Sequence, residues 1–441
     1  MSKICMIGTG YVGLVSGACL ADFGNTVWCM DVDAQRIQTL EEGRIPIYEP
    51  GLKDIVDRNV KGERLFFTTD LKKAVNEAEV IFIAVGTPSL PDGSTDMSYI
   101  IKASESLASC LSGYKVIVQK STVPVGQCRQ IAEVIKANAP DQAEFDIVSN
   151  PEFLREGSAI EDFMRPNRVV IGVETKRAEE VMKKVYRPLY LLETPVVLTT
   201  IETAELIKYA SNAYLATKIS FVNELASICE LVHANIDDVA RGMGLDGRIG
   251  PKFLHAGVGY GGSCLPKDVS SLLYVVKTKG YDPRILQAVH DVNQSQVEYA
   301  LGKLAEKAGP IEGKTVGILG LAFKPNTDDL REAPSLKIIP KLLASKVRLK
   351  VYDPVAMDNF KNFFNYDVEY CKNAYDTAED CHALMLLTEW NELRELDLDR
   401  LKQLMKEPVF IDCRNVYKSE EMEKQGFRYS SFGRGKMPKE S

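Results

Sequence analysis

One cysteine sits in a glycine-rich stretch, Gly259-Tyr260-Gly261-Gly262-Ser263-Cys264-Leu265-Pro266-Lys267-Asp268. Glycines let a backbone come close to a bound ligand, and a nearby cation favours the thiolate, the nucleophilic form of the thiol. A second constellation opens the chain. Gly8-Thr9-Gly10-Tyr11-Val12-Gly13 follows a strand pattern and opens a helical one (Leu14–Phe23), and Asp31 closes the next strand 18 residues after Gly13. In this fingerprint the first two glycines allow a tight turn and close approach to a pyrophosphate on a helix N-terminus. The third lets helix and strand pack. A nicotinamide and a nucleophilic sulfur in one chain point to an oxidation that runs past the aldehyde to the acid.

Asp31 can accept hydrogen bonds from a ribose diol and would repel a 2′-phosphate, which favours NAD over NADP. Arg36 is the competing signal, since a cation there could accommodate that phosphate. Val85-Gly86-Thr87-Pro88 and Ser121-Thr122-Val123-Pro124 fall at the carboxyl ends of later strands, where α/β sheets bind ligands. Glu205, Lys208 and Asn212 share one face of a helix. Their pattern alone suits a solvated face as well as a site.

These groups need a scaffold. Ile4–Ile7, Thr26–Met30, Val80–Val85, Lys115–Gln119 and Phe145–Val148 read as strands of a parallel sheet covered on both faces, with Val169–Val173 and Val196–Thr199 extending it. From Glu202 to Ala234 no glycine or proline interrupts a helical pattern on the order of 45–50 Å long. We read it as a spine with a dimer face, the alternative being two helices with a kink. Beyond Gly313 a second α/β region begins, with strands Thr315–Leu319, Arg348–Tyr352, His382–Leu387 and Val409–Ile411. It repeats the first weakly: Ile4–Gly8 matches Val316–Gly320, and Cys29-Met30-Asp31 matches Val351-Tyr352-Asp353. The expected fold is α/β, two Rossmann-like parallel-sheet domains joined by a long central helix. The expected divisions are 1–200 for NAD, 201–300 for the helical part with the cysteine turn, and 312–435 for the second sheet. A polar tail follows, disordered from about Gly433, its last part being 436–441.

Composition narrows the functions. The 441 residues carry a net charge of -7 and no basic run, which argues against nucleic acid or membrane surfaces as partners. An anionic substrate therefore needs a local cationic pocket. The ten cysteines contain no CxxC pair, and the four histidines have no metal-ligand spacing. We expect reduced thiols, a cytoplasmic location and no metal.

Taken together, the motifs resemble the UDP-glucose/GDP-mannose dehydrogenase family. The matching stretches are Gly8–Gly13, Val85–Pro88, Lys120–Pro124, Asn150–Glu156, Glu205–Asn223, Gly259–Asp268 and Gly320–Arg331, in the family's order along nearly the whole chain. Tyr352–Met357, Thr388–Trp390 and Asp412–Asn415 are similar to the UDP-glucose branch. Leu265 looks more like the GDP-mannose branch, so GDP-mannose stands as the alternative substrate. The resemblance implies oxidation of UDP-glucose to UDP-glucuronate by two NAD, through a thiohemiacetal and a thioester on Cys264. By resemblance Lys208 and Asn212 hold the C6 oxygen, Asp268 with a water removes a proton, and Glu152 activates the hydrolytic water that Thr122 helps to place. Gly8, Gly10, Tyr11, Val12, Gly13, Asp31, Arg36, Gly86, Thr87, Pro88, Ser121, Thr122, Glu156 and Arg331 are the implied NAD contacts. Glu152, Phe153, Leu154, Lys208, Asn212, Arg248, Phe253, Leu254, Gly259, Lys324 and Arg414 are the implied sugar-nucleotide contacts, with Arg248 reaching across a homodimer built on the central helix.

Two other classes compete. A one-step hydroxyacid dehydrogenase would share the NAD domain and a lysine-bearing helix, but it leaves Cys264 and everything past Gly313 without a role. A non-catalytic NAD-binding module would not need Cys264, Lys208, Asn212 and Asp268 together.

Overall fold

The computed structural model describes residues 1–434. Along the chain it divides into two compact units, Met1–Ser211 with Tyr274–Gly280, and Asn212–Leu273 with the residues from Tyr281 onward.

In the first unit the apolar runs form eight strands: β1 (Lys3–Ile7), β2 (Thr26–Met30), β3 (Leu65–Thr68), β4 (Val80–Ile83), β5 (Tyr114–Gln119), β6 (Glu144–Ser149), β7 (Val169–Gly172) and β8 (Val196–Thr199). Their order is β3-β2-β1-β4-β5-β6-β7-β8. Period-two alternation sorts each central strand between two cores. Ile4, Met6, Val80, Phe82, Val116 and Val118 face one, while Cys5, Ile7, Ile81, Ile83 and Ile117 face the other. Burial on both faces is why these runs read as continuously apolar rather than alternating. The sheet is not wholly parallel, because β7 joins β6 in the antiparallel sense at Ser149 and Gly172 and β8 follows β7 in parallel.

The second unit holds β9 (Thr315–Leu319), β10 (Arg348–Tyr352), β11 (Glu369–Tyr370), β12 (Ala383–Leu386), β13 (Val409–Asp412) and β14 (Arg428–Ser430), all parallel, in the order β11-β10-β9-β12-β13-β14. This is the order of the first six strands of the first sheet, so the weak sequence repeat is a structural one. The turn glycines correspond as well. Gly8 and Gly320 both have left-handed backbone (φ +98° and +91°), and each donates its N–H to the last residue of the neighbouring strand, Met30 and Tyr352, at 2.8 Å.

The central helical pattern is one continuous helix, Ile201–Val232, whose 32 residues rise about 48 Å. The fingerprint helix starts at Tyr11, not Leu14, because the turn closes directly into it. Three edge strands, β3, β11 and β14, had no sequence expectation. Gly433 and Arg434, read as the start of the tail, are held in place. Gly433 N–H donates to Glu230 at 2.8 Å, and the Arg434 guanidinium meets Asp237 at 2.8 Å. The 436–441 tail lies outside the described residues.

Candidate active site

The fingerprint turn is built for a close ligand. A Cβ on Gly8 would lie 2.6 Å from the Ala84 carbonyl oxygen, and one on Gly13 would lie 1.9 Å from the Gly8 carbonyl oxygen, so both positions require glycine. Gly10 differs, since a Cβ there would meet nothing within 4 Å. It opens the helix Tyr11–Asp22 with no side chain capping it. An open cradle at an uncapped helix N-terminus, bordered by Tyr11 and Val12, fits a pyrophosphate. Asp31 closes β2 as expected. It accepts the Thr9 N–H and hydroxyl at 2.7 and 2.8 Å and the Asp33 N–H at 3.0 Å. Burial would raise its carboxyl, but those donors and Arg36 outweigh burial and hold it below the ordinary range. Arg36 pairs with Asp31 at 3.4 Å, so the cation that competed with the NAD reading is engaged by the acid itself.

Exposed Gly86 and Pro88, with part-exposed Thr87, follow β4; part-exposed Ser121 and Thr122 follow β5. The Ser121 hydroxyl ties the two loops by donating to the Val85 carbonyl at 2.6 Å. The residues present thus fit the dinucleotide.

Glu152 and Lys208 come from positions 56 apart and meet at 2.9 Å, with side chains 6% and 3% exposed. Burial alone would raise the Glu152 carboxyl. The Lys208 ammonium, the Leu154 N–H at 2.5 Å and the more distant Lys120 reverse this, holding Glu152 below the usual carboxylate range. Phe153 is covered by the Arg168 guanidinium, 3.4 Å from its ring centre, and Leu154 beside it is part-buried. Glu156 lies two residues beyond, on the same loop. Glu205 has another task. Its carboxylate accepts the Gly126 and Cys128 N–H groups at 2.6 and 2.9 Å, at the start of the helix Gln127–Asn138.

The cysteine turn lies in the second unit. Gly259 and Gly262 have left-handed backbone (φ +89° and +86°), and a Cβ on Gly261 would lie 2.3 Å from the Glu332 carbonyl oxygen. Asn293 holds the turn by accepting the Tyr260 N–H and donating to its carbonyl, at 2.8 and 3.1 Å. Cys264 immediately precedes the helix Leu265–Thr278, whose positive end favours an anion. Of the ten cysteines, only Cys264 and Cys110 are not buried. Asp268, one turn on, is buried and receives Asn212 Nδ2 and Lys267 Nζ, each at 2.6 Å.

The remaining expected contacts all lie in the second unit. Lys324 lies 5.4 Å from the Phe323 ring centre. Arg331 forks onto Asp329 at 2.8–3.0 Å, and Arg248, 90% exposed, onto Asp246. Phe253 takes left-handed backbone (φ +66°), and the Leu254 side chain is buried. Arg414 donates to the carbonyls of Leu387, Gly259 and Phe323 at 2.8, 3.2 and 3.2 Å, tying the cysteine turn to the loops after β9 and β12. Asp353, the counterpart of Asp31, is buried under five donors: the N–H groups of Leu321, Ala322, Val355 and Ala356 and the Trp390 indole. The repeated acid therefore braces the second sheet.

Three charged groups have partners that the sequence did not reveal. Lys267 engages Asp268. Lys120 is buried, with its ammonium on Asn150 Oδ1 at 3.0 Å and the Tyr186 hydroxyl at 3.4 Å, and burial pushes it down to about 8. Glu49 receives the N–H groups of Gly157 and Ala159 and the Tyr11 hydroxyl. For Lys120 and Lys267 the available signal was a charged residue inside a recognised motif, which does not reveal the partner; for Glu49 there was none.

Fold and fingerprint define an NAD-dependent dehydrogenase of the doubly wound α/β class. Three family models match in sequence: the UDP-glucose/GDP-mannose dehydrogenase family NAD binding domain over residues 2–190, its central domain over 202–295 and its UDP binding domain over 317–419. The chain belongs to the UDP-glucose/GDP-mannose dehydrogenase family. It is 51% identical over 437 residues to a UDP-glucose 6-dehydrogenase of Rhizobium meliloti (98% of this chain, 99% of the relative). It is 48% identical over 434 residues to the UDP-glucose 6-dehydrogenase TuaD of Bacillus subtilis (98% and 94%). Among solved structures, a UDP-glucose dehydrogenase from Pyrobaculum islandicum superposes with a TM-score of 0.91 at 36% identity, covering 96% of each chain.

Proposed function

We propose that this enzyme oxidises UDP-glucose to UDP-glucuronate, consuming two NAD and one water and releasing two NADH. The carrying observation is the part-exposed Cys264 in its glycine turn at a helix N-terminus, one turn before the buried Asp268, which Asn212 and Lys267 engage. The names of the relatives at 51% and 48% identity favour UDP-glucose over GDP-mannose.

When bound, NAD supplies the two-electron acceptor for each oxidation. In this reading Asp268, with a water, takes the C6 hydroxyl proton. Lys208 and Asn212, one turn apart on the same helix, hold the C6 oxygen where negative charge develops. The Cys264 thiolate adds to the C6 aldehyde, giving a thiohemiacetal whose oxidation leaves a thioester. Glu152, kept ionised by Lys208, draws a proton from the water that attacks the thioester, with Thr122 helping to place it, and Cys264 leaves as thiolate. Arg248, Phe253, Leu254, Gly259, Lys324 and Arg414 are assigned to the sugar nucleotide, and Glu156 and Arg331 to NAD. Support for a homodimer through the long helix comes from Tyr214, Phe221 and Ile228, exposed apolar side chains that recur along it every seven residues.

The test is purified enzyme with NAD against UDP-glucose, GDP-mannose and a hydroxyacid, counting NADH per substrate consumed. Two NADH per UDP-glucose is expected. One NADH, or preference for GDP-mannose, would overturn the assignment.

A further inference from the structure

Glu49 lies in the segment before the helix Leu52–Lys61, outside every motif assigned above. Its side chain is nearly buried, 7% exposed. One oxygen accepts the Gly157 N–H at 2.6 Å and the Tyr11 hydroxyl, and the other accepts the Ala159 N–H at 2.8 Å. The Gly157 N–H also points at the Tyr11 hydroxyl at 2.9 Å, closing a three-membered network. Tyr11 follows Gly10, so its backbone belongs to the open cradle of the fingerprint turn. Gly157, with left-handed backbone (φ +76°), ends the loop that carries Glu152 and Glu156. The same loop is pinned a second time by Arg155, whose N–H and guanidinium both meet Asp162.

We propose that Glu49 is a positioning residue that ties the fingerprint turn at Tyr11 to the loop carrying Glu152 and Glu156. Seating of the dinucleotide and placement of the two acids are thereby coupled through one carboxylate. Hydrogen bonds to a buried carboxylate are charge-assisted and costly to leave unmade, so a displacement at Tyr11 is passed on to Gly157 rather than absorbed by solvent. The consequence for Glu152 rests on the hydrolytic role proposed for it above; the coupling itself does not.

The experiment compares wild type with Glu49→Gln, Tyr11→Phe and the double variant, using NADH without sugar. Fluorescence titration reads affinity, and amide hydrogen exchange reads Gly157 and Ala159. In wild type, NADH should slow exchange at these two amides. Each single variant should bind NADH about tenfold more weakly and lose the NADH-dependent slowing, with the double variant no worse than the weaker single, because all three groups share one network. Tyr11→Phe keeps the ring and guards against misfolding of the Gln variant. Folded variants with wild-type affinity, or whose Gly157 and Ala159 amides NADH still slows as in wild type, would reduce Glu49 to a fastener and overturn the proposal. If Glu152 does not hydrolyse a thioester, Glu152→Gln accumulates no acyl adduct with UDP-glucose and NAD, yet the NADH-dependent slowing in wild type remains. The two failures are therefore distinguishable.

Discussion

The Lys208 ammonium lies 2.9 Å from the Glu152 carboxylate with both side chains almost sealed from solvent. Such a pair offsets the desolvation of each charge only while both partners are present. The pair joins the helix Ile201–Val232 at Lys208 to the loop after β6, and it holds the Glu152 carboxyl below its ordinary range.

Removing one partner strands the other. Lys208→Met should cost about 3–5 kcal/mol of stability in urea unfolding, and the double change Lys208→Met with Glu152→Leu should recover most of it. A single variant as stable as wild type would show that the pair is not buried in solution.

Trapping the covalent step separates the two halves of the reaction. Cys264→Ser should produce no net acid, while Glu152→Gln should accumulate an acyl adduct on Cys264, read by intact-protein mass spectrometry after mixing with UDP-glucose and NAD. Absence of any adduct under all conditions would remove the thioester from the mechanism.

The proposed NAD contacts make cofactor choice depend on Asp31 restraining Arg36. Asp31→Ser releases the guanidinium toward a 2′-phosphate and removes the acceptor for the ribose diol. The ratio of kcat/KM for NAD to that for NADP should fall by about tenfold or more. An unchanged ratio would mean that selectivity lies elsewhere.

Lys120 gives a pH signature in stability. Its folded value near 8 lies below the ordinary 10.5. Below pH 8 both states are protonated and the burial cost is present in full. Between these values the unfolded chain binds a proton that the folded one does not, so this group makes stability rise with pH. Its neighbours Glu152 and Lys208 set the field, and Asn150 and Tyr186 accept its hydrogen bonds. Relative to Lys120→Met, wild type should gain about 2 kcal/mol between pH 7 and 9.5. A difference that stays flat across that range would show that Lys120 is not shifted.

The chain alone determined the strands of the two sheet centres, the fingerprint turn with Asp31, the unbroken long helix and the position of Cys264 in its turn. These features are local: buried parallel strands need apolar runs, a tight turn needs glycine at Gly8, and a helix needs an uninterrupted pattern. The edge strands β3, β11 and β14 escaped because they are short and take their pairing from a neighbour. The reversed sense of β7 escaped because alternation specifies a face and carries no direction. Only the tertiary structure decided which polar groups meet. Glu152 with Lys208, Asp268 with Asn212, Glu205 with the Gly126 and Cys128 amides, and Glu49 with Tyr11 and Gly157 are joined across tens of residues. A charged side chain inside a motif looks the same in sequence whether it will face water or a buried partner. The difference appears only when folding withdraws the solvent and the nearest donor must take its place.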